Sequence, residues 1–201
     1  MARQREATTL IRGVLALGAV LAAAAAATPE RAAPERAPGF LATVLSIGDG
    51  DSLRVLREGQ ALTIRLACID APELAQAPWG ARSRAMLALR LPVGRSVRVI
   101  PHSIDRYGRT VAEVISELSI PLVMVEDGQA FAYRRYLAGC NAKEFLDAEY
   151  RARRHRYGVW QVPGGLTRPW LFRRRSGLRP DPALFPPDSG APAAGPHGPP
   201  P

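Results

Sequence analysis

Short segments of alternating hydrophobic and polar residues predict β-strands along the middle of the chain. In ALTIRLACI, residues 61–69, the alternation places Leu62, Ile64, Leu66 and Cys68 on one face and Thr63, Arg65 and Ala67 on the other. This parity directs Arg65 away from the predicted core. Four further strands are predicted, two before this segment and two after it: FLATVLSI, SLRVL, RSVRVIP and RTVAEVI, with DRYGR as the bend between the last two.

Three segments have the longer repeat of helices. Residues 78–90 predict a helix that ends before Pro92 and Gly94 and packs through Ala81, Ala85, Leu87, Ala88 and Leu89. IPLVMVEDG predicts a short helix with Pro121 in its first turn and Gly128 at its C-terminal end. Residues 142–156 predict a helix that is ended by Gly158 and packs through Phe145, Ala148, Tyr150 and Ala152.

The order of these elements indicates an α+β, mainly β, fold. QAFAY, residues 129–133, is either a last strand or an extended segment. Three strands, a helix, two strands and two helices predict an antiparallel domain, which fits a five-stranded Greek-key barrel of the OB type with about three helices.

The two ends of the chain differ from this middle. Residues 1–27 have the layout of a signal peptide, because arginines precede the apolar run GVLALGAVLAAAAAA, which is shorter than a membrane-spanning helix needs. Residues 28–38 predict a Pro/Ala-rich linker, residues 39–175 the folded domain, and residues 176–201 a disordered Pro-rich tail. We expect a secreted or periplasmic protein, with an uncleaved N-terminal anchor as the alternative.

Charge and cysteine content narrow the choice of partner and compartment. The 201 residues include 27 Lys+Arg and 18 Asp+Glu, a formal net charge of +9, and all but one of the basic residues are arginines. Arginine suits planar recognition of phosphate, although a solvated basic surface explains the same excess. In an oxidising compartment, Cys68 and Cys140 are expected to pair in a disulfide; the alternative is two unrelated buried cysteines.

Four polar groups need one explanation: DGD at 49–51, Arg65 within its predicted strand, IDAPE at 69–73 and DRYGR at 105–109. Each one alone is typical of a turn or a surface charge. Together they supply what phosphodiester hydrolysis needs, namely carboxylates for a hard cation, two guanidiniums for a phosphate and one carboxylate to accept a proton.

These groups also carry a family resemblance. The ordered set DGDS, IRLACIDAPE, DRYGR, VEDGQAFAY, AEYRARRHRYGVW and RPWLFR resembles the staphylococcal nuclease, or thermonuclease-like, family from about residue 40 to residue 175. The resemblance implies an OB-type barrel and calcium-dependent hydrolysis of DNA, RNA or both. We also expect a monomer with no obligate protein partner, in contact with a membrane only if the signal segment is retained.

The resemblance assigns roles to residues of this chain. Asp51 and Asp70 match the Ca²⁺-binding carboxylates and Asp49 an outer member of the cluster, while Ala71 matches a backbone-carbonyl ligand. Glu73 matches the general base, and Arg65 and Arg109 match the phosphate-binding arginines. Tyr133 and Tyr136 match residues of the nucleotide pocket. The alternative is a non-catalytic OB-type module that binds nucleic acid or another polyanion through its arginines.

Overall fold

The computed structural model describes residues 38–178. The strands are β1 Phe40–Ile47, β2 Ser52–Arg57, β3 Gln60–Leu66, β4 Ile69–Asp70, β5 Ser96–Ile104, β6 Thr110–Ser116, β7 Leu118–Ser119 and β8 Phe131–Ala132. The α-helices are α1 Trp79–Arg90, α2 Ile120–Glu126, α3 Ala142–Arg154 and α4 Pro169–Ser176, and two 3₁₀ segments span Arg134–Gly139 and Gly158–Gln161. The predicted signal peptide, nearly all of the linker and most of the tail lie outside the described residues.

Five strands close into a barrel, which confirms the predicted fold class. Strand β1 pairs with β2 and β5, β2 pairs with β3, and β5 pairs with β6, all antiparallel. The last pair, β3 with β6, is parallel and closes the ring. The prediction of an all-antiparallel sheet was therefore wrong at this pair, because alternation along single strands does not specify their direction.

The barrel interior holds the main core. Its strands contribute fully buried aliphatic side chains: Val44, Leu53, Val55, Ile64, Val99 and Val114, with Val97 at 2% exposure. Helices α2 and α3 add Met124 and Phe145 to the same core. A second cluster, around Phe131, Ala152, Val159 and Trp160, joins α3 to the segment before α4. No helix within residues 38–178 is long and apolar enough to cross a membrane.

Helix α1 forms where the pattern predicts it, but its buried face differs. Its buried residues are Gly80, Ser83 and Leu87, whereas Leu89 is 75% exposed and Ala81, Ala85 and Ala88 are exposed too. Two of the three buried residues are small because this face of α1 lies close to the backbone of another segment. A Cβ atom on Gly80 would collide with the Glu73 carbonyl. In α3 the predicted packing residue Tyr150 is also exposed, and Glu149 is buried in its place.

Strand β3 is shorter than predicted. It ends at Leu66, and Cys68 has a φ of +66°, so the alternation of faces stops before that residue. The chain then reverses into β4, which pairs with β8 through Asp70 and Phe131. The turn carries Asp70 away from the line of β3, toward the end of the barrel where β2 begins.

Candidate active site

The DGD segment is the turn between β1 and β2. Asp49 Oδ1 accepts hydrogen bonds from the Asp51 N–H, at 3.1 Å, and from the Ser52 hydroxyl. Gly50 has to be glycine here, since a Cβ atom would meet the Ser83 side chain of α1 and come within 2.7 Å of Ala71 Cβ. The turn therefore holds Asp51 at the start of β2 and against the segment that follows β4.

Arg65 lies between two buried carboxylates. Its Nη1 contacts Asp51 Oδ1, and its Nη2 lies 2.6 Å from Asp70 Oδ1. The Asp70 side chain is fully buried, and those of Asp51 and Arg65 are 7% and 14% exposed. The Ala71 N–H donates to Asp51 Oδ2 at 2.6 Å, so the backbone of Ala71 is joined to Asp51 through its N–H. The role of its carbonyl as a ligand stays a prediction.

Glu73 is held in place by a short loop that Gln76 organises. Its N–H donates to Gln76 Oε1 at 3.1 Å, and its carbonyl accepts from the Gln76 N–H at 2.8 Å. The buried Gln76 side chain also donates to the Thr167 carbonyl at 2.8 Å, just before α4. Gln76 thus joins the Glu73 loop to the C-terminal segment of the domain.

Helix α4 brings a second arginine to the carboxylates. Arg173 Nη2 lies 2.8 Å from Asp70 Oδ2, and Nη1 lies 3.1 Å from Asp70 Oδ1 and 2.5 Å from Glu73 Oε1. One guanidinium therefore connects the predicted metal ligand Asp70 with the predicted proton acceptor Glu73. We call Asp49, Asp51, Asp70, Glu73, Arg65 and Arg173 the carboxylate cluster.

The cluster has more negative than positive groups. Four carboxylates face two guanidiniums, an excess of two negative charges when all six are ionised. Burial and the nearby Asp51 raise the pKa of Asp49 to about 7. Burial also raises the pKa of Asp70 against the opposing effect of Arg65, and that of Glu73 against the opposing effect of Arg173. A divalent cation would compensate this excess.

Arg109 lies in the same cleft but has a different partner. Its Nε and Nη2 lie 2.8 and 2.7 Å from Asp105 Oδ2, and Asp105 Oδ1 caps the turn by accepting from the N–H groups of Tyr107 and Arg109. Thr110, the next residue, pairs with Ile64 beside Arg65. Among the described residues, no hydrogen bond or ion pair joins Arg109 to the carboxylate cluster.

The cleft beside the cluster has a volume of about 1200 Å³ and is both aromatic and basic. The Tyr133 ring stacks on Trp170 at 4.8 Å, with 5° between the planes, and Tyr136 meets Tyr133 edge-on at 4.8 Å. Burial raises the pKa of Tyr133. Arg106, Arg134, Arg135 and Arg174 line the same cleft.

Cys68 and Cys140 form a disulfide in the structure. Cys68 lies two residues before Asp70, and Cys140 follows the 3₁₀ segment that carries Tyr136. The Tyr133 N–H also donates to the Cys68 carbonyl at 2.8 Å. The disulfide thus links the carboxylate cluster to the aromatic side of the cleft.

Sequence reasoning brought Asp51, Asp70, Glu73 and Arg65 to one place but assigned nothing to Arg173, Trp170 or Gln76. RPWLFR was part of the resemblance, and its Pro169 at the first turn of a helix was the available signal for α4. Arg173 is one of three consecutive arginines, and nothing in that run distinguishes it from Arg174 and Arg175.

Sequence comparison relates this chain to known proteins. Residues 63–162 match the sequence model described as Staphylococcal nuclease homologue. A Shigella flexneri protein named micrococcal nuclease is 39% identical over 171 residues, 80% of this chain and 95% of that protein. Protein ParB of Escherichia coli is 37% identical over 148 residues, 69% of this chain and 81% of that protein. An uncharacterized endonuclease of Haemophilus influenzae is 38% identical over 119 residues, 58% of this chain and 64% of that protein. The chain belongs to the staphylococcal nuclease family.

Proposed function

We propose that this chain is an exported, calcium-dependent nuclease that acts on DNA, RNA or both. Family membership and relatives named as nucleases make it an endonuclease that hydrolyses phosphodiester bonds. The identity of the ion, the export and the role of each residue belong to the proposal. The observation that carries it is the buried carboxylate cluster at the edge of a basic, aromatic cleft.

The donor set of the cluster fits a hard divalent cation. Asp51, Asp70 and Glu73 offer only oxygen atoms, which is the ligand type that Ca²⁺ takes in proteins. The excess of two negative charges equals the charge of one such ion. The bound ion would stabilise the negative charge that develops on the phosphoryl group. Asp51 and Asp70 are the residues proposed to hold it, with the Ala71 carbonyl as a third ligand.

The two arginines of the proposal are suited to bind the phosphate. Arg65 is positioned by Asp51 and Asp70, and Arg109 by Asp105. Both line the cleft, and a guanidinium that is already oriented can donate two hydrogen bonds to phosphate oxygens. The arginine-rich lining and the rings of Tyr133 and Tyr136 are suited to the backbone and bases of a nucleic acid strand.

Glu73 is proposed to accept a proton from the attacking water. Its side chain is 24% exposed, so water can reach it, whereas Asp70 is fully buried. Burial raises the pKa of Glu73, which makes it a stronger base than an ordinary glutamate. The Gln76 contacts and the close approach of Gly80 restrict the loop that carries it.

Two features support export. The first is the layout of residues 1–27, typical of a signal peptide. The second is the Cys68–Cys140 disulfide, because disulfides persist in oxidising compartments and are rare in the cytosol. Fractionation of cells that express the full chain tests this part, and a cytosolic protein with its N-terminus intact would contradict it.

The catalytic assignment is tested by plasmid degradation with Ca²⁺, with Mg²⁺ and with a chelator. We expect cleavage with Ca²⁺ and none with the chelator. Glu73→Gln and Arg109→Ala should each lower turnover by roughly 10²–10⁴-fold, because one removes a proton acceptor and the other a phosphate contact. Glu144→Gln, at an exposed position on α3, is the matched control and should retain activity. Full activity of either active-site variant would contradict the assignment.

A further inference from the structure

We propose that Arg173 is a tethered cation that holds Asp70 and Glu73 together in the metal-free protein and competes with the metal for Asp70. This inference rests on the proposed function, since it concerns access to the same metal site. Arg173 lies beyond residues 63–162, the part of the chain that matches the family's sequence model. It reaches the carboxylates because α4 lies against the cleft.

Asp70 has few acceptor sites left for a cation. A carboxylate has about four lone-pair sites for donors or a metal. Arg65 and Arg173 both donate to Oδ1, at 2.6 and 3.1 Å, and Arg173 donates to Oδ2 at 2.8 Å. Guanidiniums thus take three of the four sites. A cation that binds Asp70 must displace one of them or share the single site left on Oδ2.

Of the groups that contact Asp70, Arg173 is the one most free to move away. Asp70 is fully buried in a strand that pairs with β8, and Arg65 is 14% exposed between two carboxylates. The Arg173 side chain is 26% exposed, comes from the last described helix and lines the cleft. It is therefore the contact that can be broken with the least disturbance of the barrel.

The positive charge of Arg173 acts on both the stability of the site and its affinity for a metal. Without Arg173, the carboxylates of Asp70 and Glu73 would share a partly buried site with one fewer positive charge, and a buried carboxylate without its partner destabilises the fold. The same positive charge repels an incoming divalent cation. Arg173 thus stabilises the metal-free site and weakens its affinity for the metal. Removing its charge should therefore lower the melting temperature without metal and raise the affinity for Ca²⁺.

The test measures Ca²⁺ binding by calorimetry and melting temperature in a chelator, on the purified chain, for four proteins. Arg173→Gln should melt at a lower temperature without metal and bind Ca²⁺ at least roughly tenfold more tightly than the wild type. Arg173→Lys keeps the charge but cannot hold both oxygens of Asp70 and also reach Glu73, so its affinity should rise by a smaller factor, about threefold. Arg175→Gln removes the same charge from an exposed position on α4 and should match the wild type in both measurements.

The outcomes separate this inference from the proposed function. Equal or weaker Ca²⁺ affinity in Arg173→Gln would overturn the role of Arg173 and leave the calcium site in place. If that variant does not fold, an unchanged affinity in Arg173→Lys would overturn it in the same way. Binding of Ca²⁺ by none of the proteins would overturn both the inference and the calcium assignment.

Discussion

At the scale of single residues, the same side chains shape the chain and carry the chemistry. Within the carboxylate cluster, Asp49 caps the turn between β1 and β2, and Asp51, two residues later, forms an ion pair with Arg65. A basic chain thus contains a buried excess of acid at one point. Burial, and to a smaller extent the nearby Asp51, raises the pKa of Asp49, so the ionised form of this side chain is disfavoured in the folded protein.

The pKa of Asp49 predicts how the metal-free protein responds to pH. The unfolded chain releases this proton near pH 3.8, whereas the folded protein retains it up to about pH 7. Between these values the folded state binds more protons, so this group's contribution to stability falls as pH rises. Relative to Asp49→Asn, which does not titrate, the wild type in chelator should lose stability between pH 4 and 7 and no more above pH 8. Denaturant unfolding at several pH values measures this difference, and a constant difference would contradict the prediction.

Among the site residues, the sequence was most informative where a polar side chain lies in or beside a predicted strand. Asp51 and Asp70 stand at the ends of predicted strands and Arg65 on the polar face of one, and the family resemblance assigned all three to one site. Arg173 has no such signal, because α4 is short and its arginines look like solvated charges. Its contacts with Asp70 and Glu73 depend on the position of α4 against the cleft, which only the folded structure shows.

At the scale of elements, helices α1 and α4 position the site without large hydrophobic faces of their own. Helix α1 packs through Gly80 and Ser83 because it lies against the Glu73 loop and the DGD turn, so the apolar pattern predicts its position but the wrong face. Helix α4 is attached mainly by Trp170, which stacks on Tyr133 and meets Phe131 edge-on at 6.3 Å. Trp170 and Arg173 lie one turn apart, so both attach the same helix.

A double-mutant cycle tests whether α4 docks as a unit. Trp170→Ala should lower the free energy of unfolding by about 2 kcal/mol, since a partly buried aromatic contact is lost. Arg173→Gln should cost less in that background than in the wild type, with a coupling of about 1 kcal/mol, because a detached helix no longer presents Arg173 to Asp70. Lys143→Gln, which breaks an exposed ion pair within α3, is the control and should add to Trp170→Ala without coupling. An additive result for Arg173 would contradict docking as a unit.

At the scale of the whole molecule, the sequence pattern predicted the five barrel strands but not the parallel pairing of β3 with β6 that closes the barrel. Each of the five barrel strands was predicted close to its observed bounds, because each buries one face. The β3–β6 pair that closes the ring is parallel and joins segments more than forty residues apart, a relation that no local pattern contains. Closure brings the start of β6, with Arg109 before it, beside the end of β3 that carries Arg65.

The disulfide acts at this largest scale, because it joins residues 72 positions apart, one beside Asp70 and the other after the segment that carries Tyr136. Closing a loop of that length in the unfolded chain should contribute about 4 kcal/mol to stability in the chain-entropy treatment. The Cys68→Ala, Cys140→Ala double variant should unfold at a correspondingly lower denaturant concentration, and the reduced wild type should behave alike. The double variant itself should not respond to reductant, which makes it the control for side effects of the reducing agent.

Since Cys68 adjoins the turn to Asp70 and Cys140 follows the segment that carries Tyr136, we also expect substrate affinity to fall when the disulfide is removed. Unchanged stability of the reduced wild type would show that the fold alone, without this cross-link, fixes both sides of the cleft.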